Sequence, residues 1–495
     1  MKVLLALHGY PPELVGGTED STRALARALA AAGHEPVVVA GSMQWEGGLR
    51  RSLEEDADPA SGRSYRVHRI HRADPYFDHW QKGAAPAAGR LFEEVLDEER
   101  PDLVHVHHWI RLSRDLVWRA ARRGVPAVAT LHDLWATCLV AFRVHPAERA
   151  FCRRPLDPAH CLDCAAHVPP RTPWLDAEAQ AAEVRAHRRD LARELDLARA
   201  VVAPSRTHAE AALGWLGLDS GATTVRVVPP ARSGGVGTSG GPRPVPAAFT
   251  PDAPLVLTCF GQWSELKGTD LLLDAAARVA AAQDAPGRLR LLLAGGAPFP
   301  AFAARVEALA ADARRDHGLD VRLLGAYERE ALADHPVADA HLFVHPTRAH
   351  ESWGLVLDEA LDLGLGVVAP DLGAPAERLA DARAAGDRWG EPYAPGDAAD
   401  LARLLGELLE DPPRVAALGA AAREAVAAGR PAGRARALDE VLAAHLEVYR
   451  AALEAGPVGP DEVPPPAEDP ADREAWLAAW DAALGRHTPE ELGQA

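Results

Sequence analysis

The chain has 495 residues, 48% of them hydrophobic and 25% charged, which is an ordinary balance for a soluble protein of about two or three domains. Its formal net charge of −18 argues against nucleic acid as a partner and weakens docking on an anionic membrane, so peripheral membrane contact is kept only as an alternative. No apolar run is long enough to span a bilayer, and the apolar N-terminal run is too short for a signal peptide, so a cytoplasmic protein is predicted.

The first half of the chain alternates short apolar runs with amphipathic segments. Thr18 is predicted to cap a helix that ends before Gly33. Strands are predicted at residues 3–7, 36–40, 103–107, 127–131 and 200–203. Because strands that alternate with helices build parallel sheets covered on both faces, a doubly wound α/β domain is expected for residues 1–228.

A change of composition separates this half from a second alternating series. Residues 229–254 are rich in Gly, Pro and Ser, which predicts a linker. Further strands are predicted at residues 255–260, 289–294, 321–324, 342–345 and 367–369. A second doubly wound α/β domain is therefore expected for residues 255–434.

The C-terminal part of the chain is helical and Pro-rich. A helix is predicted at 438–453, and an acidic tail at 456–495 contains a short amphipathic helix with Trp476 and Trp480 in its apolar stripe. Because exposed aromatic stripes are uncommon on monomers, the tail is expected to pack back onto the body of the protein. Binding of a partner by this stripe is the alternative.

The sharpest functional signal is a pair of glutamates with seven residues between them, Glu351 and Glu359 (an E-x7-E motif), in a run that also contains Trp353 and Gly354. The first glutamate is expected in the loop after a strand, and the second about one and a half turns into the helix that begins near Gly354. Both carboxylates would then face the crevice at the carboxyl end of a parallel strand, beside a helix N-terminus suited to phosphate. A solvated helix face is the alternative interpretation.

A second signal lies in the loop 261–268, which follows a predicted strand and precedes a helix. It contains Gln262 and Lys267. The only other lysines of the chain are Lys2 and Lys82, because nearly all of its basic residues are arginine. Lys267 is therefore interpreted as a ligand of a diphosphate, with an ordinary exposed loop lysine as the alternative.

Two loops of the first half carry weaker signals. Gly16 and Gly17 follow the first strand, and adjacent glycines let a backbone approach a ligand closely. Their spacing is not the G-x-G-x-x-G of a dinucleotide site, which disfavours NAD. His132 follows another strand, where it can bond to a sugar or acceptor hydroxyl. A plain tight turn and a structural histidine are the respective alternatives.

Together, and in this order along the chain, these motifs resemble the family 4 glycosyltransferases, also called glycosyl transferases group 1, from residue 1 to about residue 455. The resemblance implies the GT-B fold: two Rossmann-like, doubly wound α/β domains facing a central cleft, here followed by a C-terminal helical tail. It implies that residues 435–455 form a crossover helix that returns to the N-terminal domain.

The same resemblance implies transfer of a sugar from a nucleotide-diphosphate donor, with retention at the anomeric carbon and with no cofactor required for catalysis. The acceptor, whether a glycan, a lipid-linked molecule or a small molecule, is not identified by the sequence. N-terminal loops, including residues 44–90 and a cysteine-rich insertion near residues 138–164, are expected to select it.

Roles for individual residues also follow from the resemblance. Glu351 is expected to contact hydroxyls of the donor sugar, Glu359 the ribose and Lys267 the diphosphate. His132 is expected near the reacting centre, which makes His132, Glu351 and Lys267 the catalytic set. Gly16 and Gly17 are expected under the donor phosphates or, alternatively, beside the acceptor. The other residues expected around the donor are Gln262, Arg348, Trp353, Gly354 and Glu359.

Gln262 departs from the family pattern, which has an arginine after the glycine of Gly261. Losing one preorganised stabiliser of developing negative charge costs on the order of a hundredfold or more in rate. Arg348 is expected to compensate. The alternatives are a slow enzyme or a non-catalytic homologue that binds a sugar nucleotide, and an epimerase of the same fold is a further one.

Four of the five cysteines lie close together in the sequence, at Cys138, Cys152, Cys161 and Cys164. The last two have the C-x-x-C spacing of zinc and iron–sulfur ligands, and a cytosolic setting disfavours disulfides. A structural zinc or iron–sulfur cluster is therefore expected, with four free thiols as the alternative. The fifth, Cys259, is predicted in the core of a strand.

Overall fold

The computed structural model describes residues 1–218, 223–231, 244–282, 287–429, 437–459 and 461–494. The chain divides into two compact units. Unit one comprises Met1–Ala147, Arg153–Ala231 and Arg436–Ala495, and unit two comprises Glu148–Cys152 and Arg232–Ala435. Residues 232–243 of the predicted linker lie outside the described residues.

Unit one is built on an eight-stranded sheet. Its strands are β1 Lys2–Leu7, β2 Glu35–Gly41, β3 Arg50–Ala57, β4 Ser64–His71, β5 Leu103–Val106, β6 Ala127–Thr130, β7 Ala200–Ala203 and β8 Val225–Val227. Their spatial order is β3-β4-β2-β1-β5-β6-β7-β8, and β3 runs antiparallel to β4 whereas the other neighbours are parallel. The order reverses between β1 and β5, which is the switch point at which doubly wound sheets bind ligands.

Helices cover both faces of this sheet. They are α1 Gly17–Ala31, α2 Pro86–Glu99, α3 Leu116–Arg122, α4 Pro158–Ala165, α5 Ala177–Leu197 and α6 Arg206–Leu216. The five strands predicted in this half are confirmed. The prediction that Thr18 caps the first helix is wrong, since α1 begins at Gly17 with Gly16 as its cap.

The segment expected to supply loops, residues 44–90, contains β3, β4 and the start of α2. Sequence pattern does not reveal β3, because it is a polar, partly exposed edge strand. In β4 the buried basic side chains are satisfied by partners far along the chain. For example, Arg69 donates to the carbonyls of Tyr10 and Pro11.

Unit two contains a six-stranded parallel sheet. Its strands are β9 Leu255–Phe260, β10 Leu289–Ala294, β11 Asp320–Gly325, β12 Leu342–Val344, β13 Gly366–Pro370 and β14 Gly390–Tyr393. Its helices are α7 Thr269–Ala281, α8 Pro300–His317, α9 Leu355–Asp362, α10 Gly373–Ala384, α11 Ala398–Glu410 and α12 Pro412–Ala427. The strand order is β11-β10-β9-β12-β13-β14, so the switch point lies between β9 and β12.

The first strand of this sheet shows why the fold forms. In β9, Leu257 and Cys259 face one hydrophobic core, whereas Val256 and Phe260 face the core on the other side of the sheet. A strand buried on both faces is apolar throughout, as parallel strands are. Cys259 is confirmed as a core residue.

The two C-terminal helices, α13 Leu438–Ala455 and α14 Pro470–Leu484, belong to unit one. Helix α13 adds Val441, Val448 and Tyr449 to the core of that unit. Helix α14 buries Trp480, so the tail packs back onto unit one as predicted. Among the described residues no helix has the length and apolar character needed to cross a membrane.

Candidate functional site

In unit two, the two most informative loops of the sequence meet at the switch point of the sheet. The loop after β9 carries Lys267, and the loop after the adjacent strand β12 carries Glu351. Lys267 Nζ donates to Glu351 Oε1 at 2.6 Å. The helices that follow these loops, α7 and α9, both begin here, so two helix N-termini and one lysine provide positive potential at the same edge.

Glu351 is a partly buried carboxylate that its neighbours hold in the ionised form. Burial alone would raise its pKa, but Lys267, together with His345 and the Thr347 hydroxyl, more than offsets this and lowers the pKa to about 2. Thr347 Oγ1 lies 3.1 Å from Glu351 Oε1. Burial also lowers the pKa of His345 to about 4, so His345 is neutral at physiological pH. Glu351 can therefore accept hydrogen bonds from a ligand but has no proton to give.

Glu359, the second glutamate of the motif, lies in the first turns of α9. Arg329 Nε is 2.8 Å from Glu359 Oε1. Burial, assisted by the charges of Asp358 and Asp362 and opposed by Arg329, raises the pKa of Glu359 to about 7. The pKa is thus lowered for Glu351 and raised for Glu359, although both glutamates belong to one motif.

This difference predicts a pH dependence of stability. Because the pKa of Glu359 is higher in the folded than in the unfolded state, its contribution is fully present below about pH 4.5 and is lost as the pH rises to about 7. The loss amounts to about 3 kcal/mol. Glu359→Gln removes this pH-dependent loss. The melting temperature of the variant minus that of wild type is therefore expected to rise between pH 5 and 7.5. Parallel curves for the two proteins would contradict the raised pKa.

The indole of Trp353 packs against the first turns of α9. Its indole Nε1 donates to Asp358 Oδ2 at 3.0 Å, and the Arg378 guanidinium lies over its ring at 4.6 Å from the centroid. Arg378 also donates to Asp358 and to the carbonyl of Gly354. The indole is therefore buried and engaged within unit two, and the predicted contact of Trp353 with the donor stays a prediction.

Arg348 takes part in a buried ion pair. Its guanidinium makes two hydrogen bonds to the Asp270 carboxylate, at 2.6 and 3.2 Å, and a third to the carbonyl of Glu265. Asp270 lies in the first turn of α7 and is itself buried. The guanidinium therefore belongs to a structural ion pair, and its expected role as a replacement for the missing arginine stays a prediction.

The loop that carries Lys267 is shaped by close backbone contact. Gly268 has a φ of +70°, and a Cβ there would lie 1.9 Å from the carbonyl oxygen of Pro346, in the loop after β12. Glycine is the one residue that allows this approach. Gln262, in contrast, is exposed. The neutral side chain at the position of the family's arginine is therefore on the surface and open to a ligand.

In unit one, the glycines after β1 have separate roles. A Cβ on Gly16 would lie 2.8 Å from Glu19 Oε2, so the absence of a side chain there makes room for a buried carboxylate of the same unit. Gly17 has open space around it, which leaves its backbone accessible. Glu19 Oε1 is 2.8 Å from His8 Nε2, at the end of β1.

His132 follows β6 and does not stand alone. Its Nε2 is 2.8 Å from Nδ1 of His107, which follows β5. On the other side, His108 Nε2 lies 3.4 Å from Asp133 Oδ2, and the ring of His108 packs 4.4 Å from that of His8. The carboxyl ends of three neighbouring strands, β1, β5 and β6, thus bring together a cluster of polar and titratable side chains.

The sequence interpretation found His132 in this cluster but missed its companions His8, Glu19, His107 and His108. The signal was present, because each histidine comes directly after an apolar run that ends a parallel strand. The same reasoning that selected His132 applies to all three.

The metal expected at the four cysteines stays a prediction. Cys152 belongs to unit two, and Cys138, Cys161 and Cys164 belong to unit one. Burial raises the pKa of the Cys138 thiol to about 11. Among the described residues of unit one, the sulfurs of Cys138, Cys161 and Cys164 do not all lie within 4.8 Å of one another.

Metal analysis of protein purified without a histidine tag tests the prediction of a structural metal at these cysteines. About one equivalent of zinc or iron would support it and would require the thiols to come together. Less than roughly a tenth of an equivalent would end it.

One other group of metal-type ligands occurs in the described part of the chain, namely His68, Glu98 and Glu99 in unit one. Glu99 is occupied by His68 Nε2 at 2.8 Å and by Arg66 at 2.6 Å. Because the Arg66 guanidinium already neutralises the Glu99 carboxylate, this group is an ion-pair network rather than a metal site.

Comparisons with known proteins agree with this geometry. The model of Glycosyltransferase Family 4 matches residues 15–231, and that of glycosyl transferases group 1 matches residues 254–411. A search of curated proteins found no match.

Similar solved structures include sucrose-phosphate synthase from Thermosynechococcus elongatus, with 19% identity, a TM-score of 0.60 and coverage of 92% of this chain and 100% of that chain. The Anabaena protein HepE in complex with UDP has 16% identity, a TM-score of 0.55 and coverage of 91% and 100%. The trehalose 6-phosphate synthase from Burkholderia multivorans has 14% identity, a TM-score of 0.60 and coverage of 92% and 100%. At these identities the likeness concerns the fold.

The chain is a glycosyltransferase of the GT-B fold. It has two doubly wound units, each with polar residues at the switch point of its sheet, and family models match both halves. The chain belongs to glycosyltransferase family 4, the glycosyl transferases group 1.

Proposed function

We propose that the protein transfers a sugar from a nucleoside-diphosphate sugar to a hydroxyl acceptor, with retention at the anomeric carbon. The observation that carries the proposal is the contact of Lys267 Nζ with Glu351 Oε1 at the switch point of unit two, between the N-termini of α7 and α9. A diphosphate is the ligand chemistry that suits a lysine and two helix N-termini, and a carboxylate held ionised suits sugar hydroxyls.

The reaction follows from where charge develops. The bond between the anomeric carbon and the diphosphate oxygen breaks through an oxocarbenium-like state, and the leaving diphosphate gains negative charge that Lys267 and the helix N-termini stabilise. Both glutamates of the motif are engaged by cations, Glu351 by Lys267 and Glu359 by Arg329, so neither is placed as a free nucleophile. The acceptor oxygen therefore attacks on the face that the diphosphate leaves, and its proton passes to a diphosphate oxygen.

UDP is the first nucleotide to test, because the structures of HepE hold UDP and UDP-glucose. Thermal stabilisation is measured against UDP-, GDP-, ADP- and dTDP-sugars. A specific donor at a hundred times its dissociation constant stabilises the protein by about 2.7 kcal/mol. The anomeric form of the sugar first released from this donor is then read by proton NMR. Release of the opposite anomer would refute retention, and no stabilisation by any sugar nucleotide would refute the proposal.

A non-catalytic sugar-nucleotide-binding protein is the second candidate. It is favoured by two observations: Gln262 supplies no charge, and Arg348 is committed to Asp270. Stabilisation by a donor without any hydrolysis or transfer would identify this case. Interconversion of the donor to an epimer, without acceptor, would instead identify an epimerase of the same fold.

Gln262→Arg is expected to raise kcat by about 10- to 100-fold, because it restores a second cation for the leaving diphosphate. Since Gln262 is exposed, the change costs little stability. Gln262→Ala is the matched control and should leave kcat within about threefold of wild type. An arginine variant no faster than the alanine variant would show that this position does not face the diphosphate.

A further inference from the structure

The His107–His132 contact sets a constraint on both rings. Nδ1 of His107 and Nε2 of His132 are 2.8 Å apart, and the rings are nearly parallel, at 23°. One nitrogen must therefore donate a proton and the other accept it. The direction of this hydrogen bond decides which nitrogen of His132 carries a proton.

Both rings are neutral at physiological pH. Burial lowers the pKa of His107 well below its ordinary value, and it lowers that of His132 to about 3 despite the opposing charge of Asp133. The other titratable side chains around the pair are His8, Glu19, His105, His108 and His445. A single proton is thus shared across the contact between two neutral imidazoles.

The surroundings of His107 decide the direction. Its Nε2 is buried and has no hydrogen-bond partner among the described residues. His107 lines a small cavity of about 30 Å³ whose wall combines aliphatic side chains such as Leu25 and Val228 with the polar residues Ser21, Thr130 and His445. If His132 were the donor, His107 would carry its own proton on Nε2, where no described residue accepts it. Orphaned buried N–H groups are rarer than unsatisfied acceptors, and each costs about 1–3 kcal/mol.

We propose that His107 is a positioning residue that donates from Nδ1 to His132 Nε2 and so holds His132 in the tautomer with its proton on Nδ1. Within the described chain His132 Nδ1 has no hydrogen-bond partner, and the side chain is half-buried. His132 therefore presents an N–H to a ligand and not a bare nitrogen.

The consequence for the reaction rests on the proposed function. As a neutral donor, His132 gives a hydrogen bond to an oxygen of the donor sugar or of the leaving diphosphate, and it is not a base for the acceptor. This agrees with a transfer in which a diphosphate oxygen takes the acceptor proton. The tautomer itself is a property of unit one and does not depend on the identity of any substrate.

The first test is made on the protein alone. In protein labelled with ¹⁵N at histidine, two-bond ¹H–¹⁵N correlations distinguish the two neutral tautomers, and the signal of His132 is identified by its loss in His132→Gln. Wild type is expected to show His132 protonated on Nδ1. A wild-type signal protonated on Nε2 would overturn the proposal without any variant.

Two substitutions of His107 then separate the hydrogen bond from packing. Asparagine places an amide N–H near the position of imidazole Nδ1, so His107→Asn is expected to keep the tautomer of His132. His107→Leu removes the donor, and His132 is expected to move toward the Nε2–H form that isolated histidine prefers. An unchanged tautomer in a folded His107→Leu variant would overturn the proposal, as would a change in His107→Asn.

Kinetics supply a second readout. His107→Leu should lower kcat by about 10- to 100-fold, as loss of the partner that orients a functional histidine does, with the KM for the donor within about twofold, and His107→Asn should restore most of kcat. His187→Gln is the matched control, since His187 is an equally buried histidine of unit one that bonds through Nε2 to the Trp135 carbonyl. It should change neither kcat nor the His132 signal. If wild type turns over no donor, the proposed function fails, but the spectra still decide the tautomer.

Discussion

Lys267→Met is expected to lower kcat at least about a hundredfold, the loss that follows removal of one preorganised stabiliser of developing charge. Methionine keeps the length and apolar stem of lysine but has no ammonium. Initial rates of donor hydrolysis and of transfer, measured with the donor found by thermal stabilisation, give the value. With Gln262 already uncharged and Arg348 held by Asp270, no neighbouring cation of the described loops after β9 and β12 is placed to substitute for Lys267.

The same variant changes the state of Glu351. Without the Lys267 ammonium, burial is the largest remaining influence, and the pKa of Glu351 rises from about 2 toward or above the ordinary value of a glutamate. The residual activity of Lys267→Met should therefore fall as the pH is lowered toward 5, where wild type is flat. Lys267→Arg keeps the charge and should retain the ionised Glu351, although a guanidinium does not match the lysine geometry.

Lys2→Met is the control for loss of a lysine as such. Lys2 lies at the start of β1, at the edge of unit one opposite to the carboxyl ends of the strands, and it pairs with Glu35 at 3.5 Å. It should leave kcat unchanged. A Lys267→Met variant that is folded and as fast as wild type would remove Lys267 from the site and with it the main support for a diphosphate ligand.

The apolar runs of the sequence were sufficient to predict most of the strands. Residues such as Leu257 and Val256 are buried whichever face of the sheet they occupy, so their segment is a strand in any parallel arrangement. The pair β3 and β4 could not be found in this way. Its stability depends on pairings such as Arg69 with the carbonyls of Tyr10 and Pro11, some 58 residues earlier in the chain for the latter.

The candidate site shows the same division. The loops of Lys267 and Glu351 could be placed at the ends of strands, since strand–loop–helix order is visible in the sequence. The sequence does not show which of these side chains pair with each other. Arg348 and Asp270 are 78 residues apart in the chain, and nothing local distinguishes an arginine that faces a ligand from one that faces a buried carboxylate. Their pairing follows from the packing of α7 beside the loop after β12.

The clustering of histidines in unit one was hidden for a different reason. His8, His107 and His132 lie after β1, β5 and β6, which are neighbours in the sheet but are separated by long stretches of sequence. These histidines meet because their strands are neighbours in the sheet, and the spatial order of the strands cannot be read from the sequence pattern that predicts each strand. Without the order, each histidine is a single residue whose structural and functional interpretations weigh about equally.

Trp480→Ala is expected to destabilise unit one by about 3–5 kcal/mol, the cost of deleting a large aromatic side chain from a core. Trp480 is 1% exposed, and its ring packs against Trp174 at 5.4 Å and His79 at 5.3 Å. The ammonium of Lys82, a fully buried side chain that also contacts Asp481, lies 4.3 Å from the ring centroid. The substitution therefore leaves a cavity and also removes the aromatic face that stabilises a buried cation.

Urea denaturation followed by circular dichroism measures the loss, and limited proteolysis shows where it acts. Cleavage within the tail should accelerate in Trp480→Ala before the rest of unit one is cut, because α14 is held by few other buried residues, chiefly Arg473, which donates to Glu183 Oε1 at 2.7 Å.

Trp476→Ala is the matched control on the same helix. That ring is partly exposed beneath the Arg473 guanidinium, so its loss should cost about 1 kcal/mol. Equal losses for the two tryptophans would mean that the tail covers unit one as a loose layer; a loss confined to Trp480 would mean that a single aromatic side chain anchors it beside Lys82.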